Sequence, residues 1–186
     1  MNQPEAQQDV RRVMIVDDHP VVRQGIKLMI NAEKDLTICG EAETEQQARR
    51  MIRELRPDAL VVDLSLSAGD GFNIVRDAHA HFPEIRILVL SMHDEAIYGE
   101  RLLAQGALGY IMKQAATEQL ITALRTVLRG ERFVSEALRR TLEGRQDDGG
   151  GQSRLSAREL QVISLIGAGL GTREIDEAVA THPNVA

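Results

Sequence analysis

Five short apolar runs, each followed by an amphipathic segment, constrain this chain more than any other feature. The runs are "VMIV" (Val13–Val16), "LTIC" (Leu36–Cys39), "ALVVDL" (Ala59–Leu64), "IRILVLS" (Ile85–Ser91) and "GYIM" (Gly109–Met112). Their near-continuous apolarity suits strands of a parallel sheet that is covered on both faces. The intervening segments carry helix signals. "PVVRQGIKLMINA" opens on a proline at a first-turn position. "TEQQARRMIREL" places Thr44 and Gln47 at capping-box spacing. "GFNIVRDAHAHF", "EAIYGERLLAQG" and "TEQLITALRTVLRG" follow the later runs. Strand and helix alternating five times predict a doubly wound α/β domain of about 120 residues.

With three Phe, two Tyr and no Trp, the core must be aliphatic. A net charge of −6 argues against a surface that coats nucleic acid, while leaving room for a local basic face. The single Cys39 excludes an internal disulfide framework and CxxC metal chemistry, and it reads as a buried, inert thiol. No apolar run approaches the ~18 residues needed to span a bilayer, and the polar N-terminus has no signal-like core. A cytoplasmic protein with no membrane partner is expected.

In a doubly wound sheet, ligands bind beyond the carboxyl ends of the strands, where the strand order reverses. Asp17 and Asp18 end the first strand, Asp63 the third and Ser91 the fourth, and Lys113 directly follows the fifth. All five polar groups should therefore meet on one rim. A single strand-end Asp is explained as well by helix capping; three of them with a hydroxyl and a lysine are not. Adjacent carboxylates repel, so the cluster needs a cation, and hard oxygen donors favour Mg²⁺. No nucleophile elbow, GxGxxG or Walker A sequence occurs, so neither a hydrolase triad nor a nucleotide site is indicated. His19, His79, His81, His93 and His182 read as surface residues.

"VDDHP", "VVDLSLSAGDG", "VLSMH" and "GALGYIMK" together resemble the receiver domain of two-component response regulators. The spacings of 28 residues from Asp63 to Ser91 and 50 to Lys113 agree with that family. "GALGYIMK" and the sequence after it are most similar to the NarL/FixJ (LuxR-type) subfamily, and the resemblance spans about Arg11–Ser135. It implies a flavodoxin-like fold in which Asp63 accepts phosphate from a sensor histidine kinase. It further implies Mg²⁺ bound directly by Asp18 and mainly through water by Asp17, with Asp63 and the backbone carbonyl of Ser65 as further ligands. Lys113 and Ser91 would contact the phosphoryl group, and Tyr110 would be the aromatic that turns inward when Ser91 moves. A homodimer on phosphorylation is also implied, and phosphoacceptor chemistry rather than enzymatic turnover. The family usually has proline four residues after the phosphoacceptor; here that residue is Ser67.

The organisation expected is a receiver over 11–133, a helix and flexible linker over 134–152, and a partial helix-turn-helix over 153–186. "EGRQDDGGGQS" has linker composition. "LSARELQVISLIGAGLGTREI" resembles the opening of a LuxR-type DNA-binding domain, through Leu155, Arg158-Glu159, Leu165-Ile166, Gly169 and Glu174-Ile175. The next residues, "DEAVATHPNVA", depart from the recognition helix of that family. Residues 153–186 hold three Arg against four acidic residues, the opposite of a phosphate-binding footprint. DNA is a partner of complete family members, and this segment as written is not expected to read it. Two other functions compete with this reading. A metal-dependent aspartyl phosphohydrolase would need an acid-base Asp two residues after Asp63, where Ser65 stands. A switch acting only through protein–protein contacts would not need the full set of five site residues.

Overall fold

The computed structural model describes residues 10–147. Its elements run β1 (Arg11–Val16), α1 (Pro20–Asn31), β2 (Leu36–Ala42), α2 (Glu45–Leu55), β3 (Ala59–Asp63) and α3 (Gly71–His81). Then come β4 (Arg86–Ser91), α4 (Glu95–Ala104), β5 (Gly109–Met112), a single 3₁₀ turn (Lys113–Ala115), α5 (Ala116–Leu128) and α6 (Glu136–Asp147). The strands form one parallel sheet in the order β2-β1-β3-β4-β5, the flavodoxin-like arrangement expected from the alternation. The order reverses between β1 and β3, so the ligand crevice lies outside the ends of those two strands.

Alternate residues of each strand feed opposite faces of the sheet. Met14, Val16, Leu60, Val62, Ile87 and Val89 pack with Ile52, Ile74, Val75 and Leu102 of α2, α3 and α4. Val13, Ile15, Val61, Leu88 and Leu90 pack with Ile26 and Ile30 of α1 and with Leu120, Leu124 and Val127 of α5. The two cores leave β1, β3 and β4 buried on both sides. Polar residues on those strands are therefore confined to their ends.

Three local features depart from the sequence expectations. β2 continues past Cys39 through Gly40, Glu41 and Ala42, with a register shift opposite Val13 and Met14. As an edge strand it tolerates polar residues, and Lys27 pairs with Glu41 at 2.5 Å. At α2, Thr44 Oγ1 accepts from the Gln47 amide at 3.2 Å, but the Gln47 side chain accepts from Glu43 N at 3.0 Å rather than from Thr44. The helix after the receiver also reaches further than its composition suggests. α6 runs to Asp147, into the stretch read as linker from Glu143, where Glu, Arg and Gln are adequate helix formers. Leu138 is buried against Gly99 of α4, and Ser135 N donates to both carboxylate oxygens of Glu95 at 3.0 and 3.2 Å. The glycine-rich remainder of the linker and the helix-turn-helix segment 153–186 lie outside the described residues.

One glycine bears directly on the site. Gly71, the first residue of α3, sits under the loop that leaves β3, and its amide donates to Leu64 O at 3.3 Å. A Cβ there would lie 2.6 Å from Leu64 Cα and closer still to the Asp63 carbonyl oxygen. Both are backbone atoms that cannot swing aside. Gly71→Ala should therefore destabilise the fold by roughly 1–3 kcal/mol, the cost of overpacking. Gly25→Ala, in α1 with nothing within 4 Å of the new carbon, should be neutral or stabilising. Urea unfolding of both variants checks the contrast, and equal midpoints would show that the β3–α3 loop yields.

Candidate functional site

The strand registers set the rim. Val16 pairs with Val62, so the next residues, Asp17 and Asp63, leave the sheet side by side. Asp63 pairs with Leu90 and Ser91 with Met112, which brings Ser91 and Lys113 to the same edge. Asp17 and Asp63 are each 1% exposed, and Ser91 is fully buried. Lys113 spans the two carboxylates, with Nζ 2.7 Å from Asp63 Oδ2 and 2.8 Å from Asp17 Oδ2.

Backbone amides hold three of the four remaining carboxylate oxygens. Ser65 N donates to Asp63 Oδ1 at 3.2 Å, His19 N to Asp17 Oδ1 at 2.8 Å, and Ser67 N to Asp18 Oδ2 at 2.7 Å. The last contact gives the Ser67 departure a structural meaning. A proline there has no N–H, so serine adds a donor to Asp18 that the family's usual residue lacks.

The electrostatics follow from this packing. Burial pushes the Asp63 carboxyl above the ordinary aspartate range, and the Lys113 ammonium and Ser65 amide offset only part of that. Burial alone would lower Lys113, but Asp17 and Asp63 outweigh it, and its pKa is raised. Asp18 is also pushed up by burial; the Ser67 hydroxyl and amide, with His19, outweigh this and hold it below the usual range. Asp17 Oδ2 and Asp18 Oδ1 are buried yet lack a hydrogen bond, despite nearby Lys113 and His19 nitrogens at ion-pair distance. Two under-satisfied anionic oxygens beside Asp63 fit a hard divalent cation, and Mg²⁺ suits that donor set.

Of the residues expected at the site, Asp17, Asp18, Asp63 and Lys113 come together directly. Ser91 closes the β4 end, its hydroxyl accepting from His93 N at 3.1 Å. Tyr110 is 4% exposed and already faces inward, donating its hydroxyl to His93 O at 2.8 Å. Burial pushes its phenol up to about 12. Ser65 contributes its amide to Asp63, and its hydroxyl lies 3.1 Å from His93 Nε2.

Two histidines that read as surface residues belong to this region. His93 links Ser65, Ser91 and Tyr110. His19 keeps an exposed ring, yet its Nδ1 is 2.8 Å from Asp18 Oδ1 and 3.2 Å from Asp17 Oδ1. The signal is present in "DDHP": the residue before a proline is held extended, so its direction is set by the strand end.

Comparison with known proteins gives a consistent picture. Residues 13–125 match the family model described as the response regulator receiver domain. The oxygen regulatory protein NreC of Staphylococcus aureus (strain USA300) is 36% identical over 176 residues, which cover 89% of this chain and 81% of NreC. A LuxR-family two-component response regulator from Aurantimonas sp. SI85-9A1 superposes with a TM-score of 0.67 at 29% identity, over 75% of this chain and 99% of that one. RcsB from Salmonella enterica serovar Typhimurium, solved bound to promoter rprA with the phosphomimetic BeF3⁻, has a TM-score of 0.64 and 30% identity. That likeness covers 90% of this chain and 82% of RcsB. Among the described residues, no helix is long and apolar enough to cross a membrane.

Proposed function

Since the chain belongs to the response regulators of the NarL/LuxR type, with its receiver domain over residues 13–125, we propose that Asp63 is its phosphoacceptor. The observation that carries this is the position of Asp63 on the central strand β3. The Asp17-Asp18 pair flanks it on the β1 side, Ser91 on the β4 side, and the Lys113 ammonium touches it at 2.7 Å. The donor is the phosphohistidine of a sensor histidine kinase. An Asp63 carboxylate oxygen attacks phosphorus, the P–N bond breaks, and its electron pair returns to the imidazole.

Bound Mg²⁺ supplies positive charge to the transferring oxygens. Asp17 and Asp18, with Asp63 and the Ser65 carbonyl, are the groups that would hold it. Lys113, in contact with both Asp17 and Asp63, neutralises charge there and favours the ionised form of Asp63 against the effect of burial. Ser91 donates its hydroxyl to a phosphoryl oxygen, a movement that strains its bond from the His93 amide. Because Tyr110 hangs on the His93 carbonyl, movement at Ser91 is passed to β5 and α4. The chain acts as a switch without turnover of a separate substrate. It forms a homodimer on phosphorylation, and control of transcription is its output. RcsB has been solved bound to a promoter. Residues 153–186 of this chain resemble only the opening of a DNA-binding domain, lie outside the described residues, and are not expected to read DNA.

Incubation with a small phosphodonor and Mg²⁺, read by intact mass, tests the proposal: one phosphate should be added, and only when the metal is present. Direct metal titration adds a second check. Asp18→Ala should weaken Mg²⁺ binding at least tenfold, whereas Asp77→Ala, which removes an α3 carboxylate paired with Arg49 of α2, should leave it unchanged. Equal loss in both variants would place the ion elsewhere.

A further inference from the structure

His19 turns an all-oxygen site into one with a nitrogen donor. Asp17, Asp18, Asp63 and His19 each offer one ligand atom, and all four atoms lie within 4.8 Å of one another. Donor atoms around one small cation, with bonds of ~2.0–2.3 Å, span a similar width. Nδ1 of His19 lies 2.8 Å from Asp18 Oδ1, 3.2 Å from Asp17 Oδ1 and 3.8 Å from Asp63 Oδ2. It therefore fronts all three carboxylates at once.

The placement is built into the backbone. His19 N is tied to Asp17 Oδ1 at 2.8 Å, and Pro20 begins α1 immediately after it. The ring is 59% exposed and can adjust by rotation about its own bonds. A second observation points to a ligand here: Asp17 is 1% exposed, and its Oδ2 makes no aligned hydrogen bond although the Lys113 ammonium lies 2.8 Å away. Resting on the assignment of this site to a divalent metal, we infer that His19 is a further ligand, engaged by borderline transition ions and not by magnesium.

The chemistry behind the selectivity is general. Mg²⁺ takes hard oxygen donors and keeps much of its water, so an imidazole adds little to it. Ni²⁺, Cu²⁺ and Zn²⁺ favour imidazole nitrogen and bind mixed N/O sites more tightly than the alkaline-earth ions do. Because both kinds of ion use Asp17, Asp18 and Asp63, occupancy by one excludes the other. The phosphoacceptor site of this chain is thus also a site where a borderline metal competes with magnesium.

Calorimetric titration of the 186-residue chain with Ni²⁺ and with Mg²⁺ tests this, together with displacement of one by the other. Wild-type protein should bind Ni²⁺ at least tenfold more tightly than Mg²⁺, with Mg²⁺ displacing it competitively. His19→Ala should collapse the Ni²⁺-to-Mg²⁺ affinity ratio at least tenfold. His19→Asn, which supplies a good helix-capping residue and offers oxygen in place of nitrogen, should not restore it. An unchanged ratio in both variants, with both ions still lost in Asp18→Ala, would overturn the role of His19 and leave the metal site standing. Full binding of both ions by Asp18→Ala would overturn the metal site itself, and the role of His19 with it. Nickel that Mg²⁺ fails to displace would likewise count against the inference, by placing that ion at other histidines.

Discussion

Asp63→Asn should take up no phosphate from a small phosphodonor in the presence of Mg²⁺, under conditions that fully label the wild-type chain. The expectation is all-or-none because neither neighbouring carboxylate has the same surroundings. Asp18 is the more exposed of the three and is held by the Ser67 amide. Asp17 lies at the β1 end, where the outer neighbour β2 closes on Ala42 and offers no hydroxyl. Asp63 alone stands between the metal-binding pair and Ser91, with an aligned bond to Lys113. Intact mass decides the matter. Full labelling of the variant would move the acceptor to another residue and sink the assignment. The same variant has a second, independent readout. Burial raises the Asp63 carboxyl despite Lys113, so its ionised form costs stability at neutral pH. Replacing it by a neutral isostere, while Asp17 keeps its contact with Lys113, should raise the melting temperature in metal-free buffer.

Much of this site is legible in the sequence, for a topological reason. In a doubly wound sheet the carboxyl ends of the strands share one rim, so a polar residue that ends an apolar run is placed on that rim by its position alone. Asp17, Asp63, Ser91 and Lys113 are located that way. What escapes is set by tertiary contacts that leave no mark in composition. The Ser67 amide on Asp18 involves backbone, which any residue but proline supplies. His19 and His93 read as surface residues because exposure of a ring does not say where one of its nitrogens points. The extension of β2 escapes because an edge strand need not be apolar, and "GEA" gives no β signal. The docking of α6 depends on Gly99 being small enough to admit Leu138, a pairing of residues 39 positions apart. Periodicity finds the elements; close approach between them has to be observed.

The largest stability effect should come from Lys113→Met, which keeps the aliphatic stem and removes the charge. Asp17 and Asp63, with side chains 2% and 1% exposed, would then face each other without a cation. Breaking a buried pair from one side costs roughly 3–5 kcal/mol, because a desolvated charge is left uncompensated. The pH dependence identifies the cause. In the wild type the Lys113 pKa is raised above 10.5 by its two partners. Its contribution is therefore complete below about 10.5 and is lost only as pH rises through the folded value. The Asp63 carboxyl is raised above 3.8, so the folded chain holds that proton more tightly than the unfolded chain does. Ionising it costs stability as pH climbs past 3.8, and without Lys113 the upward shift must grow. The deficit of Lys113→Met should thus be largest at neutral pH and shrink as pH falls toward about 4, where protonation replaces the lost cation. Added Mg²⁺ should narrow it as well, since the ion binds the folded state alone and supplies charge to the same carboxylates. Urea midpoints of both chains across that pH range, with and without the metal, provide the measurement. A deficit that stays flat with pH and ignores Mg²⁺ would mean that the lysine acts by packing its stem and not by its charge.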